Sequence, residues 1–306
     1  MIQSIFTASV FAATLRLATP YLFAALGETF SQRSGVLNLG VDGIMLMGAF
    51  FAFYAVHITG SLALGIAAAL GIGLLLGLAT AFITVTLKAE QGISGIGMYL
   101  FGLGMSELLF QTLVGTPQSV EGFGRIQIPI LSDIPVIGEV LFNQNLLVYV
   151  AFALVPIAAF VLNRTTFGLM IRAVGQNPEA ADAMGINVTR VRYTTVMIGG
   201  ALAGMAGASL SIALLNVFQQ NLTSGIGFIA VALVYFGGWK PTGVLIGSLL
   251  FSFVNAIQLQ IGSLGLDIPS EFAVMAPYVI TIIALIFASK RTEKPTALTK
   301  PFERGE

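Results

Sequence analysis

The chain has 306 residues, of which 56% are hydrophobic and 9% are charged, and its mean hydropathy is +0.92. A soluble domain typically carries about a quarter of charged residues, so this composition excludes an ordinary water-soluble enzyme. Basic and acidic residues balance at 14 each, which gives no positive field for binding nucleic acid. With no cysteine and one histidine, His57, the sequence offers no thiolate or histidine metal cluster, and no cofactor is expected. These properties predict an integral membrane protein.

Uncharged runs locate the membrane spans, because a charged side chain at the bilayer centre costs at least about 2.5–3.5 kcal/mol. Residues 43–87 and 193–239 carry no formal charge. Each run is long enough for two helices of about 20 residues, the length that crosses the hydrocarbon. We predict an all-α bundle of about 8–10 spans with kinked or broken helices. The predicted spans lie near residues 7–26, 41–57, 63–86, 93–113, 146–162, 195–215, 227–238, 243–261 and 273–289, and 227–238 is short for a full crossing.

The distribution of basic residues predicts the orientation through the positive-inside rule. Residues 163–192 contain four arginines, and residues 290–306 contain five basic residues. With nine crossings both stretches face the cytoplasm and the N-terminus lies outside. We therefore expect a transmembrane domain over residues 1–289, containing the cytoplasmic loop 163–192, followed by a cytoplasmic tail over 290–306.

Glycines recur at helical spacing within the predicted spans. Gly73–Gly77, Gly200–Gly204 and Gly243–Gly247 are GxxxG pairs, which let helix backbones approach closely in lipid. These pairs predict close packing between helices, and no nucleotide-binding motif accompanies them. Kinks are expected at the prolines within or beside spans, which are Pro20, Pro156 and Pro277.

The segment Gly27–Gly48 has a polar first half, whose polar side chains include Glu28, Ser31, Gln32, Arg33, Ser34 and Asn38. Polar backbone at membrane depth is tolerated only inside protein or beside a water-filled cavity. Two interpretations remain open from the sequence. The segment is either a broken helix or re-entrant turn beside a translocation path, or a short cytoplasmic loop.

The segment Gly175–Ile186, with the sequence GQNPEAADAMGI, predicts a helix of about two turns in the longest cytoplasmic loop. Asn177 is a favourable N-cap, Pro178 suits the first helical position and Glu179 complements the helix dipole. Gly185 suits a left-handed C-terminal stop. Such a helix is marginal alone, so it either docks into a protein groove or rests on lipid headgroups.

Three stretches together resemble permease subunits of ATP-binding-cassette (ABC) importers. They are SGVLNLGVDG ending at Gly43, GQNPEAADAMGI from Gly175, and FGGWKPTG from Phe236. The resemblance is to the branched-chain amino acid, ribose and nucleoside family, and most of all to simple-sugar and nucleoside permeases that work with basic-membrane-protein-type lipoproteins.

The resemblance implies a non-enzymatic, multi-pass subunit of the cytoplasmic (inner) membrane that forms half of the path for a nucleoside or simple sugar. The implied partners are a second permease, often a paralogue, a cytoplasmic ABC ATPase, and an extracytoplasmic substrate-binding lipoprotein. The loop helix becomes a coupling helix that seats in an ATPase groove. The implied coupling residues are Asn177, Pro178, Glu179, Ala180, Ala181 and Gly185.

Polar residues at membrane depth are candidates for the translocation path, although each could instead make an interhelical hydrogen bond. Other functions stay open: a permease for ribose-type sugars or branched-chain amino acids, an ion-coupled secondary transporter, or a membrane scaffold or intramembrane enzyme. The candidate path residues are Glu28, Asn38, Asp42, Glu107, Asn216, Asn255 and Gln258.

Overall fold

A computed structural model describes residues 7–127, 129, 132, 134, 137–263, 275, 279 and 294–304 of the chain. The predicted all-α polytopic bundle is confirmed. The helices in chain order are α1 (Ala8–Arg33), α2 (Val41–Thr59), α3 (Leu62–Ala81), α4 (Gln91–Leu113), α5 (Ile137–Leu141), α6 (Leu146–Arg164), α7 (Thr166–Gln176), α8 (Pro178–Ala183), α9 (Val188–Ser209), α10 (Ile226–Phe236) and α11 (Pro241–Ser263).

Seven helices within the described ranges are long and apolar enough to cross a membrane: α1, α2, α3, α4, α6, α9 and α11. Helices α3 and α9 each continue into a π-helical turn, Phe82–Thr86 and Leu210–Leu214. The predicted short span at 227–238 is α10, which has 11 residues. The predicted span at 273–289 lies outside the described residues.

Helices α1, α2 and α9 form the buried centre of the bundle, and α3, α4, α6 and α11 leave much of their surface exposed. Their sequences explain this arrangement. The outer helices α3 and α6 are almost entirely apolar, as lipid contact requires, whereas α1 carries polar side chains in its last turns. Burial inside protein lets those side chains find hydrogen-bond partners within the membrane span.

Glycine contacts bring α3 and α9 together, as their GxxxG spacing predicts. A Cβ atom added to Gly73 would collide with the carbonyl oxygen of Gly200, and one added to Gly200 would collide with that of Gly73. A Cβ on Gly77 would lie 3.0 Å from the oxygen of Val196. Only glycine permits this backbone approach, so the prediction of close packing is confirmed for this pair of helices.

The segment after α4 forms a small β-structure. Strand β1 (Arg125–Gln127) pairs antiparallel with β2 (Asn143–Asn145). Asn145 then caps α6, because its Oδ1 accepts a hydrogen bond from Val148 N at 3.0 Å. Its Nδ2 donates to Ala213 O at 3.2 Å, which ties this end of α6 to the end of α9.

Two of the three prolines for which kinks are expected, Pro20 and Pro156, lie inside α1 and α6. The third, Pro277, lies outside the described residues.

Candidate functional site

The predicted loop helix is present as α8. Asn177 Oδ1 accepts a hydrogen bond from Ala180 N at 2.9 Å, and Pro178 occupies the first helical position. Gly185 adopts a φ of 84°, the left-handed conformation that ends a helix at low cost in glycine. The sequence prediction of this helix, its cap and its stop is therefore confirmed.

Helix α8 has one face against the bundle and one face outward. Pro178 and Ala181 are buried, whereas Glu179 and Ala180 are exposed. Met184, at the C-terminal cap, is 83% exposed. An exposed methionine beside alanines offers an apolar surface of the kind that a protein groove covers.

Arg192 is a buried cation near this loop that the sequence analysis counted only as a cytoplasmic charge. It lies in the first turns of α9 and is 2% exposed. Its Nε donates to Ser34 O at 3.2 Å, and its Nη1 donates to Lys300 O at 3.0 Å. The side chain therefore joins α9 to the turn between α1 and α2 and to the C-terminal tail. Arg192 directly precedes the uncharged run at residues 193–239, and this position is the sequence feature that could have identified it.

The polar segment after residue 27 is helical over most of its length, and the loop or break that the sequence leaves open is confined to residues 34–40. Helix α1 continues without a break to Arg33, and the backbone leaves the helix only between residues 34 and 40. The physical reason is that the polar side chains bind one another inside the protein. Gln32 Nε2 donates to Glu28 Oε2 at 3.1 Å, and Trp239 Nε1 donates to Gln32 Oε1 at 2.9 Å.

Glu28 and Asn38 lie together at the α1–α2 turn. Both are 1% exposed, and the backbone N–H of Asn38 faces the carboxylate of Glu28. The side chain of Asn38 accepts a hydrogen bond from Gly40 N at 2.9 Å, which shapes the turn. Within the described part of the chain, Oε1 of Glu28 has no hydrogen-bond partner.

Asp42 anchors the short helix α10 to α2. Its carboxylate is fully buried, with Oδ1 accepting from Gly227 N at 2.7 Å and Oδ2 accepting from Thr223 Oγ1 at 2.8 Å. Asp42 lies in the first turn of α2, and Gly227 lies in the first turn of α10. One carboxylate therefore faces two helix N-termini, where negative charge is favourable. Thr223 and Gly227 could not be identified as partners of Asp42 from the sequence, because neither residue type marks a site.

The other four candidates lie at three separate places in the fold. Glu107 of α4 is half-buried, and its Oε1 accepts from Gln111 Nε2 at 3.0 Å. Asn216 follows the π-helical end of α9 with a positive φ of 56°, and its backbone oxygen accepts from Val120 N. Asn255 and Gln258 are half-buried on α11. The structure of this one chain thus brings Glu28 and Asn38 together, places Asp42 against the start of α10, and puts Asn255 and Gln258 on one helix.

Two apolar grooves open on the outside of the bundle rather than through its centre. One, of about 620 Å³, lies between α3 and α4, and Leu75 and Phe101 are among its lining residues. The other, of about 240 Å³, lies between α1, α3, α6 and α9. Among the residues that the structure describes, no group of three or more His, Cys, Asp or Glu side chains could hold a metal ion.

Relatives of the chain are transport proteins. It is 38% identical to the putative glucose ABC transporter permease protein TsgC13 of Haloferax volcanii, covering 98% of each chain. It is also 38% identical to the guanosine ABC transporter permease protein NupQ of Bacillus subtilis, covering 96% of each chain. NupP, a second permease protein named for a guanosine ABC transporter in the same organism, is 28% identical over 90% of this chain and 80% of its own.

No solved structure was found to match the chain. The family model described as the permease component of branched-chain amino acid transport systems matches residues 10–285. That match covers nearly the whole bundle, from the first helix onward. The chain is therefore a multi-pass membrane protein that belongs to this family of transport-system permease components.

Proposed function

We propose that the chain is the permease subunit of an ATP-driven ABC importer and forms half of the translocation path for a nucleoside or simple sugar. The observation that carries the proposal is α8, a capped helix with an exposed apolar face on a chain whose full-length relatives are named ABC permeases. The chain carries no nucleotide-binding motif of its own, which fits a system in which a separate ATPase supplies the energy. The outward face of α8 is the surface on which that ATPase docks.

A second permease completes the path. Two Bacillus subtilis proteins named as guanosine transporter permeases both match this chain, which supports a pair of unequal, related subunits. The buried centre of the bundle is filled by α1, α2 and α9, and this filling favours a path between two permeases over a path through one. An extracytoplasmic lipoprotein delivers the substrate to the outer mouth of the path.

The proposed orientation places α8 and the C-terminus in the cytoplasm and the N-terminus outside. The tail contacts the α8 loop, since Ala297 N donates to Gly175 O at 2.9 Å, so both lie on one side of the membrane. The basic residues of these two stretches support placing that side in the cytoplasm. In this arrangement residues 1–289 are the transmembrane domain with its coupling loop at 163–192, and residues 290–306 are the cytoplasmic tail.

The proposed mechanism gives distinct parts to the coupling residues, which are Asn177, Pro178, Glu179, Ala180, Ala181 and Gly185. Asn177, Pro178 and Gly185 set the bounds of α8, and Ala181 packs it against the bundle. Glu179 and Ala180 face the ATPase. ATP binding closes the ATPase pair and moves α8, and the two permeases rock between inward and outward access.

The test is uptake of labelled guanosine and labelled glucose by liposomes that contain the permease pair and the ATPase, with the binding protein outside. We expect ATP-dependent uptake of one of these substrates. Glu179→Lys should insert normally and still permit ATP hydrolysis, but lose most uptake. Glu121→Lys makes the same charge change on an exposed residue in the connection between α4 and α6, and should behave as wild type.

Two outcomes would decide for other functions. Uptake that is independent of ATP and is abolished by an uncoupler would indicate an ion-coupled secondary transporter. ATP-driven uptake of leucine or ribose, but of neither guanosine nor glucose, would retain the permease and reject the proposed substrate class.

A further inference from the structure

The last described segment of the chain, residues 295–304, packs into the cytoplasmic end of the bundle. We call it the tail segment. Pro295 is buried, Ala297 is 4% exposed and Leu298 is 7% exposed. A stretch that follows the membrane domain and carries charged residues would normally remain in solvent, so this burial needs an explanation.

Hydrogen bonds hold the start of the tail segment between α7 and the α1–α2 turn. Thr296 Oγ1 donates to Gln176 Oε1 at 2.8 Å, directly before α8. Ala297 N donates to Gly175 O at 2.9 Å. Thr299 N donates to Gly35 O at 3.1 Å, so consecutive tail residues bind two different parts of the bundle.

The buried guanidinium of Arg192 fixes the middle of the tail segment. It donates to Lys300 O and to Ser34 O, at 3.0 and 3.2 Å. A buried charge-assisted hydrogen bond is worth more than an exposed one because water cannot replace it. The start of α9, the α1–α2 turn and the tail segment are therefore joined at one side chain.

The end of the tail segment reaches α8 itself. Arg304 Nε lies 2.9 Å from Asp182 Oδ2, and Lys88 Nζ lies 2.5 Å from Glu303 Oε1. Asp182 belongs to α8, and Lys88 lies in the turn between α3 and α4. These four side chains line a cleft of about 460 Å³ together with Thr189 at the start of α9.

We propose that the tail segment is a positioning element for energy coupling, which ties α8 to the α1–α2 and α3–α4 turns so that a push on α8 moves the membrane helices. The proposal rests on the function proposed above. Helix α8 has only six residues, and so short a helix is marginal unless neighbouring segments support it. Asp42, which anchors α10, lies directly after the α1–α2 turn. Displacement of that turn therefore reaches α10.

Charge reversal across the ion pair between Arg304 and Asp182 provides the main test. Arg304→Asp and Asp182→Arg are made singly and together in the complete complex with ATPase, second permease and binding protein. Each single variant should keep ATPase binding and ATP hydrolysis but lower the substrate imported per ATP hydrolysed by about twofold to fivefold, the scale of one exposed ion pair. The double variant should recover the wild-type ratio. Lys294→Asp makes a matched charge change just before the tail segment and should leave the ratio unchanged.

Truncation at Pro295 removes every tail contact at once. We expect a larger loss of uptake per ATP than either single reversal causes, with ATPase still co-purifying. If the truncated chain fails to fold, the charge-reversal pair alone decides.

Two results would overturn the proposal. One is an unchanged ratio in Arg304→Asp, and the other is a double variant no better than the single ones. Wild-type complex without ATP-driven uptake would instead refute the proposed function, so the two failures are distinguishable.

Discussion

Replacing Thr223 by valine tests the anchor between α2 and α10. The substitution keeps the shape of the side chain and removes one hydroxyl, which donates to Asp42 Oδ2 at 2.8 Å. Both residues are fully buried, so water cannot take the place of the lost donor. A hydrogen bond to a charged group contributes about 1.5–3 kcal/mol. The backbone N–H groups of Gly225 and Gly227 still face the carboxylate, and we therefore expect the lower part of that range, about 1.5–2 kcal/mol.

Hydrogen exchange measured by mass spectrometry in lipid nanodiscs is the assay. Where exchange reports the opening equilibrium, this loss accelerates the amides at the start of α10 by about tenfold to thirtyfold. The matched control is Thr80→Val. Thr80 is also buried, but its hydroxyl donates to Leu76 O within its own helix. In Thr80→Val we therefore expect less than about a threefold change in exchange at the amides around residue 80.

Equal acceleration in both variants would refute the reasoning, because the effect would then come from losing any buried hydroxyl. Unchanged exchange at α10 in Thr223→Val would refute it as well. In that case Asp42 would not be the group that holds α10 in place.

Three further predictions concern stability, each measured as thermal unfolding of the purified protein in nanodiscs. Gly200→Ala drives a Cβ into the opposing helix backbone and should destabilise by about 1–3 kcal/mol, whereas Gly71→Ala, with open space at its Cβ, should be neutral or stabilising. Asn145→Ala removes a helix cap and a second hydrogen bond and should cost about 1–2 kcal/mol; an unchanged midpoint would contradict both contacts. Backbone N–H groups of Ile93 and Gly92 lower the pKa of Glu90 below 4.5, so its stabilisation is present above pH 4.5 and disappears as the pH falls through the lowered value. Glu90→Gln should therefore unfold at a lower temperature than wild type only on the alkaline side of that window.

Features determined by local chemistry could be predicted from the sequence. The cap at Asn177 and the stop at Gly185 depend on neighbours a few residues away, and both are present. The bounds of α2, α3, α4 and α6 followed closely from the absence of charge, which reflects the cost of desolvation directly. The predicted spans 7–26 and 195–215 were too short, because α1 continues to Arg33 and α9 begins at Val188. The glycine pairs of α3 and α9 also faced each other as their spacing indicates.

Features determined by distant contacts could not be predicted in this way. Hydropathy treats lipid and protein interior alike, so the polar end of α1 was taken for a break or a loop. One of its side chains, Gln32, accepts a hydrogen bond from Trp239, which is 207 residues away in the sequence. The contact between Asp42 and the start of α10 could not be predicted, because its partner Gly227 is 185 residues away. The roles proposed for the path and coupling residues remain predictions.

The shortness of α10 has a consequence for how the chain enters the membrane. Eleven residues at 1.5 Å each give about 16 Å, roughly half of the hydrocarbon thickness, so α10 cannot cross alone. The non-helical connection before it would expose unpaired backbone groups to lipid unless protein already surrounds it. Its support comes from α1 and α2, which leave the ribosome first. Integration of α10 and the connection before it is therefore a folding step that follows the insertion of α1 and α2. If α2 fails to insert, α10 should remain outside the bilayer.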